Sequence, residues 1–284
     1  MAGVPTLVKA ALPSIPGVNL LPGIRKDPDG DPSRLGERVE RLGSLSRDHA
    51  AAYARVCGFE PRDTVPLTYP HVLAFPLHMQ LMTDPGFPFA PIGTVHLENS
   101  VTGHRSIRPG EPVSIGVRAS ATRPHPKGTV VDFVAELHVE DELVWESTST
   151  YLRRGRGDAA ATGGLRFERT PGATVQWRLP GDLGRRYAGV SGDRNPIHLH
   201  PLTAKALGFP RQIAHGMWSL ARCVAALENR LPDAVTVEVV FKKPILLPGT
   251  VGFGHEATST GQAFALTGPK DGAPHLVGRA VGAG

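Results

Sequence analysis

Three short strings occur twice in this chain in the same order, and this internal duplication restricts the possible folds more than any other feature. Tyr53-Ala-Arg-Val-Cys-Gly58 is answered by Tyr187-Ala-Gly-Val-Ser-Gly192. Pro70-His-Val-Leu-Ala-Phe-Pro-Leu77 is answered by Pro210-Arg-Gln-Ile-Ala-His-Gly-Met217, and Ile107-Arg-Pro-Gly110 by Leu246-Leu-Pro-Gly249. The separations are 134, 140 and 139 residues, so the first copy is six residues short between its first two landmarks. A unit used twice presents two related apolar faces, and the fold must bury both.

The periodicities give each copy the same grammar. Met217, Leu220, Ala221, Val224, Leu227 and Leu231 fall on one face of a helix that Pro232 stops. Val235, Val237, Val239 and Phe241 then alternate as one face of a strand. In the first copy Val131, Phe133, Ala135, Leu137 and Val139 alternate, a turn follows at Asp141, and Val144 to Leu152 runs back. One helix followed by antiparallel strands, twice over, is an α+β pattern. Pairing the halves edge to edge would cover strands otherwise left open. The expected organisation is an N-terminal extension, mostly loop, at 1–40; a first half at 41–152; a linker at 153–172, where RRGRGDAAATGG is small, charged and flexible; and a second half at 173–284.

Composition narrows the functional classes. At 284 residues, 40% hydrophobic and 20% charged, the chain reads as a soluble globular protein. Cys57 and Cys223 form no disulfide framework and have no metal-ligand spacing, which points to a reducing compartment, the cytoplasm. The segment Met1 to Pro22 is interrupted by Pro5, Pro13, Pro16 and Gly17, so neither an export signal nor a membrane span is expected. The net charge of +5 is scattered rather than gathered in a stripe, which argues against nucleic acid and suits a phosphorylated thioester carrier equally well.

The densest polar cluster is Ser191-Gly-Asp-Arg-Asn-Pro-Ile-His198. Gly192, Asn195 and Pro196 are turn formers, so Asp193 and His198 are expected on a shaped loop, converging on one small molecule. A carboxylate and an imidazole so placed can hold a water and move its protons. Asp193 and Asn195 are equally at home as turn or cap residues, and a loop histidine often has no chemical task. Downstream, His215-Gly216-Met217 opens the long helix. The N–H groups of a helix start have no acceptor inside it, and Gly216 has no side chain to keep a carbonyl away, so it is a candidate oxyanion donor. A metal on His198, His200 and His215 is not expected: residues i and i+2 point apart when extended, and no acidic ligand has helical spacing to them. The twelve histidines overall are read as mostly surface residues.

The string Tyr187-Ala-Gly-Val-Ser-Gly-Asp-Arg-Asn-Pro-Ile-His198, followed by Ala204, Gly208-Phe209 and Ile213-Ala-His-Gly-Met217, closely resembles the MaoC-like, or hydratase 2, family. The two-copy layout is similar to that family's double-hotdog members, the mycobacterial 3-hydroxyacyl-thioester dehydratases in particular. The resemblance implies a double hotdog, each half a long helix wrapped by an antiparallel sheet. It also implies (R)-specific hydration of trans-2-enoyl thioesters and the reverse dehydration. Asp193 and His198 would position the catalytic water, Gly216 would polarise the thioester carbonyl, and Asn195, Pro196 and Gly192 would shape the loop. Ser191, His215 and Phe75 are further positions expected against substrate. No cofactor is implied. The partner would be an acyl-CoA or acyl carrier protein thioester, and association into a homodimer is compatible.

The first copy departs from the pattern. Phe59 stands where the second has Asp193, no Asn-Pro-x-His follows, and Phe75-Pro76 replaces His215-Gly216. Proline has no N–H to offer an oxyanion. This half is expected to be structural, with apolar helix positions such as Leu77 accommodating the acyl chain. The alternatives are a hotdog acyl thioesterase and a non-catalytic partner subunit of a dehydratase.

Overall fold

The computed structural model describes residues 25–283. Residues 1–24, which include the stretch Met1 to Pro22 and most of the predicted extension, lie outside the described residues.

The first repeated landmark is a helix end. Ser46 caps helix α1 (Arg47–Cys57) by accepting the His49 N–H on its side chain, and Gly58 stops it in the left-handed region at φ 80°. Helix α3 (Leu183–Ser191) ends the same way on Gly192, at φ 74°. In each case the glycine N–H returns to a carbonyl, of Ala54 or Ala188. The tyrosines of the two strings meet where α1 and α3 pack together, with ring centroids 6.1 Å apart.

The second landmark corrects one expectation. Helix α2 (Pro70–Thr83) starts at Pro70, so Pro76 lies inside it, whereas the corresponding helix α6 begins at Gly216 (Gly216–Leu227). Aligned by helix starts, Pro70 stands opposite Gly216. The segment between α1 and α2 has 12 residues (58–69) against 24 (192–215) between α3 and α6. The deficit is twelve residues rather than six, because α2 begins earlier than the string match places it. The physical conclusion survives with a different proline: the first residue of α2 has no N–H. Helix α6 also ends earlier than predicted, passing into a 3-10 turn at Glu228–Arg230.

All the described strands join one antiparallel sheet. They are β1 (Arg38–Leu42), β2 (Thr94–Gly103), β3 (Val113–Ala119), β4 (Arg123–His125), β5 (Gly128–Val139), β6 (Glu142–Arg154), β7 (Val175–Leu179), β8 (Val235–Phe241), β9 (Gly249–Ala257), β10 (Gly261–Thr267) and β11 (Pro274–Gly282). Their order is β1-β3-β5-β6-β2-β8-β11-β10-β9-β7, with β4 added beside β5. Counted from either edge inwards the two halves correspond strand for strand, and they meet at β2 and β8. Across that seam Val101 faces Val237, Asn99 faces Val239, and the hydroxyls of Thr102 and Thr236 lie 2.9 Å apart. This is the α+β double hotdog, with α2 packed on β1, β3 and β5 and α6 against β10. Regular structure begins before Arg41, with a 3-10 turn at Pro32–Leu35 and with β1. No helix among the described residues is long and apolar enough to cross a membrane.

Candidate active site

Gly192 turns the chain out of α3, and each polar residue that follows holds the next in place. Ser191 Oγ accepts the Asp193 N–H at 3.2 Å, and Asp193 Oδ1 accepts the Asn195 N–H at 3.0 Å. Asn195 caps the one-turn helix α4 (Pro196–Leu199) by accepting the Ile197 N–H at 3.3 Å. Pro196 fills the first position of that turn, where the missing N–H costs nothing. His198 therefore sits on a helical turn rather than in open loop, and its carbonyl is pressed against Gly184 of α3, where a Cβ would collide with it.

The imidazole of His198 is buried and oriented. Its Nδ1–H donates to the Ile213 carbonyl at 2.8 Å, which leaves the Nε2 lone pair free. His215 stacks on it with centroids 3.6 Å apart, and donates from Nε2 to the Asp193 carbonyl at 3.0 Å. Burial holds His198 below the ordinary imidazole pKa, against the charge of Asp193 and the Ile213 carbonyl, which raise it. His215 lies far below the ordinary value, through burial and then through neighbouring His198. Both rings are neutral near pH 7.

Asp193, His198 and His215 have possible ligand atoms within 4.8 Å of one another. Asp193 has no helical spacing to these histidines, and it is the turn that brings it beside them. The donor set is still poor for a metal. His215 Nε2 is occupied as a donor and its Nδ1 is buried, which leaves His198 Nε2 and the Asp193 carboxylate, short of the three ligands a catalytic zinc takes. His200 stays exposed and caps helix α5 (Pro201–Ala206) by accepting the Leu202 N–H.

These groups open onto a cavity of about 840 Å³. The second half contributes Ser191, Asp193, Asn195, His198, His215 and Gly216 to its wall. Gly216 is the first residue of α6, and a Cβ there would come within 3.2 Å of the Phe241 ring. The first half contributes Phe75 and Met79 from α2, whereas Leu77 is buried in the core and does not face the cavity. Ala161, Gly163, Leu165 and Arg166 of the connecting segment also reach the wall, held by the Leu165 N–H on the Glu98 carboxylate at 3.1 Å.

His71, His96 and Tyr151 on the first-half wall were not singled out from the sequence. Of the twelve histidines His104 and His200 are exposed and six are half-buried, and the surface reading fails for His71 and His78, which are buried. His71 and His78, seven apart and so on one helical face, were the available signal.

The profile of the MaoC like domain matches residues 164–267. The 3-hydroxyacyl-thioester dehydratase X of Mycobacterium tuberculosis is 38% identical over 284 residues, covering 97% of this chain and 96% of that protein. The crystal structure of HtdX from Mycobacterium tuberculosis superposes with a TM-score of 0.76 at 38% identity, covering 87% of this chain and 100% of that one. The (R)-specific enoyl-CoA hydratase of Rhodospirillum rubrum is 38% identical over 69 residues, 23% of this chain and 48% of that protein.

Proposed function

The chain belongs to the MaoC-like family, and from that premise we propose that it is a hydro-lyase of fatty-acid metabolism. It adds water to trans-2-enoyl thioesters to give (R)-3-hydroxyacyl thioesters, and catalyses the reverse dehydration. The observation that carries this reading is the fixed tautomer of His198: with Nδ1–H on the Ile213 carbonyl, a neutral Nε2 faces the cavity beside Asp193.

In hydration, a water held between Asp193 and His198 gives a proton to His198 Nε2 as its oxygen bonds to C3. Electron density moves through C2 to the thioester carbonyl, whose oxygen takes the charge. The Gly216 N–H meets that charge at the start of α6, where an oxyanion is favoured. The proton on His198 is then delivered to C2 on the same face, so one water is added and the imidazole is neutral again. Asp193 steadies the imidazolium between the two steps. His215 holds the Asp193 backbone, and Ser191, Gly192, Asn195 and Pro196 fix the turn. Phe75 and Met79 accompany the acyl chain, so that residues 41–152 serve as a binding half without chemistry of their own. The exposed Lys127, Arg154, Arg166, Arg194, Lys242 and Lys243 surround the cavity and suit the phosphates of either coenzyme A or an acyl carrier protein. The two free buried cysteines suit the cytoplasm.

The test is a crotonyl-CoA assay that follows loss of the enoyl absorbance and thiol release in parallel, with chiral analysis of the product. Hydration to a predominantly (R) alcohol without thiol release is expected. Thiol release or an (S) product would overturn the proposal.

A further inference from the structure

The cavity wall given by the N-terminal half carries polar chemistry that hydration of a plain acyl chain does not use. His71 and His78 lie on α2, His96 on β2 and Tyr151 on β6. Their rings form one cluster. His71 stands edge-on to His78 at 5.5 Å and stacks with His96 at 5.9 Å, and His96 stacks on Tyr151 at 4.6 Å. His96 also lies 5.1 Å from Phe241, the ring that faces Gly216. The cluster therefore continues from the carbonyl-binding position into the acyl region of the cavity.

The cluster is buried and under-satisfied. His71 is 5% exposed and His78 1%. Tyr151 Oη lies 3.4 Å from His78 Nδ1, while His71 Nδ1, His78 Nε2 and His96 Nε2 are unpartnered among the described residues and sealed from the cavity, which leaves His71 Nε2 and His96 Nδ1 to meet a ligand there. Burial pushes His71 down to about 4 against the raising effect of Asp193, and His96 down to about 3 with a further lowering from His71. His78 is held well below the ordinary value by burial and then by His71 and His96. Each ring is thus neutral and offers one donor and one acceptor. Against a hydrocarbon chain such groups are a loss, and leucine or phenylalanine would line the wall better. A carboxylated chain is disfavoured, because these neutral rings offer it no countercharge and Asp193 shares the cavity.

We propose that this half recognises an uncharged oxygen function, a hydroxyl or a ketone, on the acyl chain of the substrate. His71 and His96 at the cavity wall determine that specificity, and His78 and Tyr151 orient them. The inference rests on the proposed function for the ligand being an acyl thioester, and adds which acyl chains are preferred.

The experiment uses the full-length protein and a set of acyl-CoAs of one chain length: plain, carrying a hydroxyl or keto group at successive carbons, and ending in a carboxylate. Saturated members are titrated calorimetrically for Kd, and the trans-2-enoyl members are assayed for kcat/KM. At least one oxygenated member is expected to bind roughly tenfold or more tightly than the plain chain. That ratio is expected to fall to near one in His96→Phe and in His71→Leu. Because the ratio compares two ligands on one preparation, either variant that folds suffices. Equal binding of plain and oxygenated chains overturns the proposal, as do a preference retained in both variants and tightest binding of the carboxylated chain. Oxygen-selective binding without hydration of any member supports the pocket and removes the hydratase reading instead.

Discussion

Two neutral imidazoles stacked 3.6 Å apart beside one carboxylate leave each residue a single task. His198 has its Nδ1–H committed to a carbonyl, so only Nε2 can take a proton; His215 has its Nε2 committed to Asp193 and serves by position. Asp193→Asn and His198→Gln are each expected to lower kcat about 10²- to 10⁴-fold with the fold intact. The double variant should be no slower than the worse single one, because the two hold the same water. Steady-state rates of the three variants decide, and a double variant slowed by the product of the single effects would count against a shared water. The pH dependence has a definite sign. Burial lowers the His198 pKa beneath 6.5, so the free base persists to lower pH than an exposed imidazole allows. The acid limb of kcat/KM, which reports the free enzyme, should be centred below pH 6.5. A limb centred above it would mean that His198 is not the base.

Among the elements, the short turn of α4 is placed by what lies beneath it. Gly184 of α3 touches the carbonyl of His198 so closely that no Cβ fits. Gly184→Ala is therefore expected to displace α4, cost about 1–3 kcal/mol of stability and reduce kcat more than it raises KM. Thermal unfolding together with steady-state kinetics checks this, and unchanged kcat would show that the turn is positioned from elsewhere. Elements with a strong local signature were legible in the sequence. Val235–Phe241 alternates and is β8, and Gly216 opens a helix with a continuous apolar face. The Asp193–His198 turn was legible because its capping residues are local. What was not legible depends on contacts distant in sequence. The edge strand β1 is largely exposed and has no buried face to alternate, and the start of α2 was misread because Pro76 is tolerated within it. The burial of His71, His78 and His96 is completed only when α2 lies on the sheet, although the apolar run around His71 and His78 was a local sign of it.

At the scale of the whole molecule, five neutral histidines, four buried and His96 half-buried, tie stability to pH. His71, His78, His96, His198 and His215 all lie below 6.5 when folded, so below that value the unfolded chain binds protons that the folded one refuses. Their contribution is fully present above pH 6.5 and is lost as pH falls. From His71 and His96 alone, with folded values of about 4 and about 3, the loss should approach roughly 2–3 kcal/mol per pH unit between pH 6 and pH 4. Tm followed across that range should drop steeply, and His96→Phe should flatten the slope; a Tm independent of pH would contradict the burial of these rings. The seam between β2 and β8 has a consequence of another kind. When two separate copies of one chain meet about a twofold axis, each surface position is present on both sides, and a single substitution alters both environments together. Here the two sides belong to one polypeptide and carry different residues, with Asn99 paired across the seam with Val239. Each side can therefore change without its counterpart. The half that carries Asp193 can be held constant for the reaction while the half that carries His71 drifts towards new chains, which lets a lineage diversify its diet without rebuilding its chemistry.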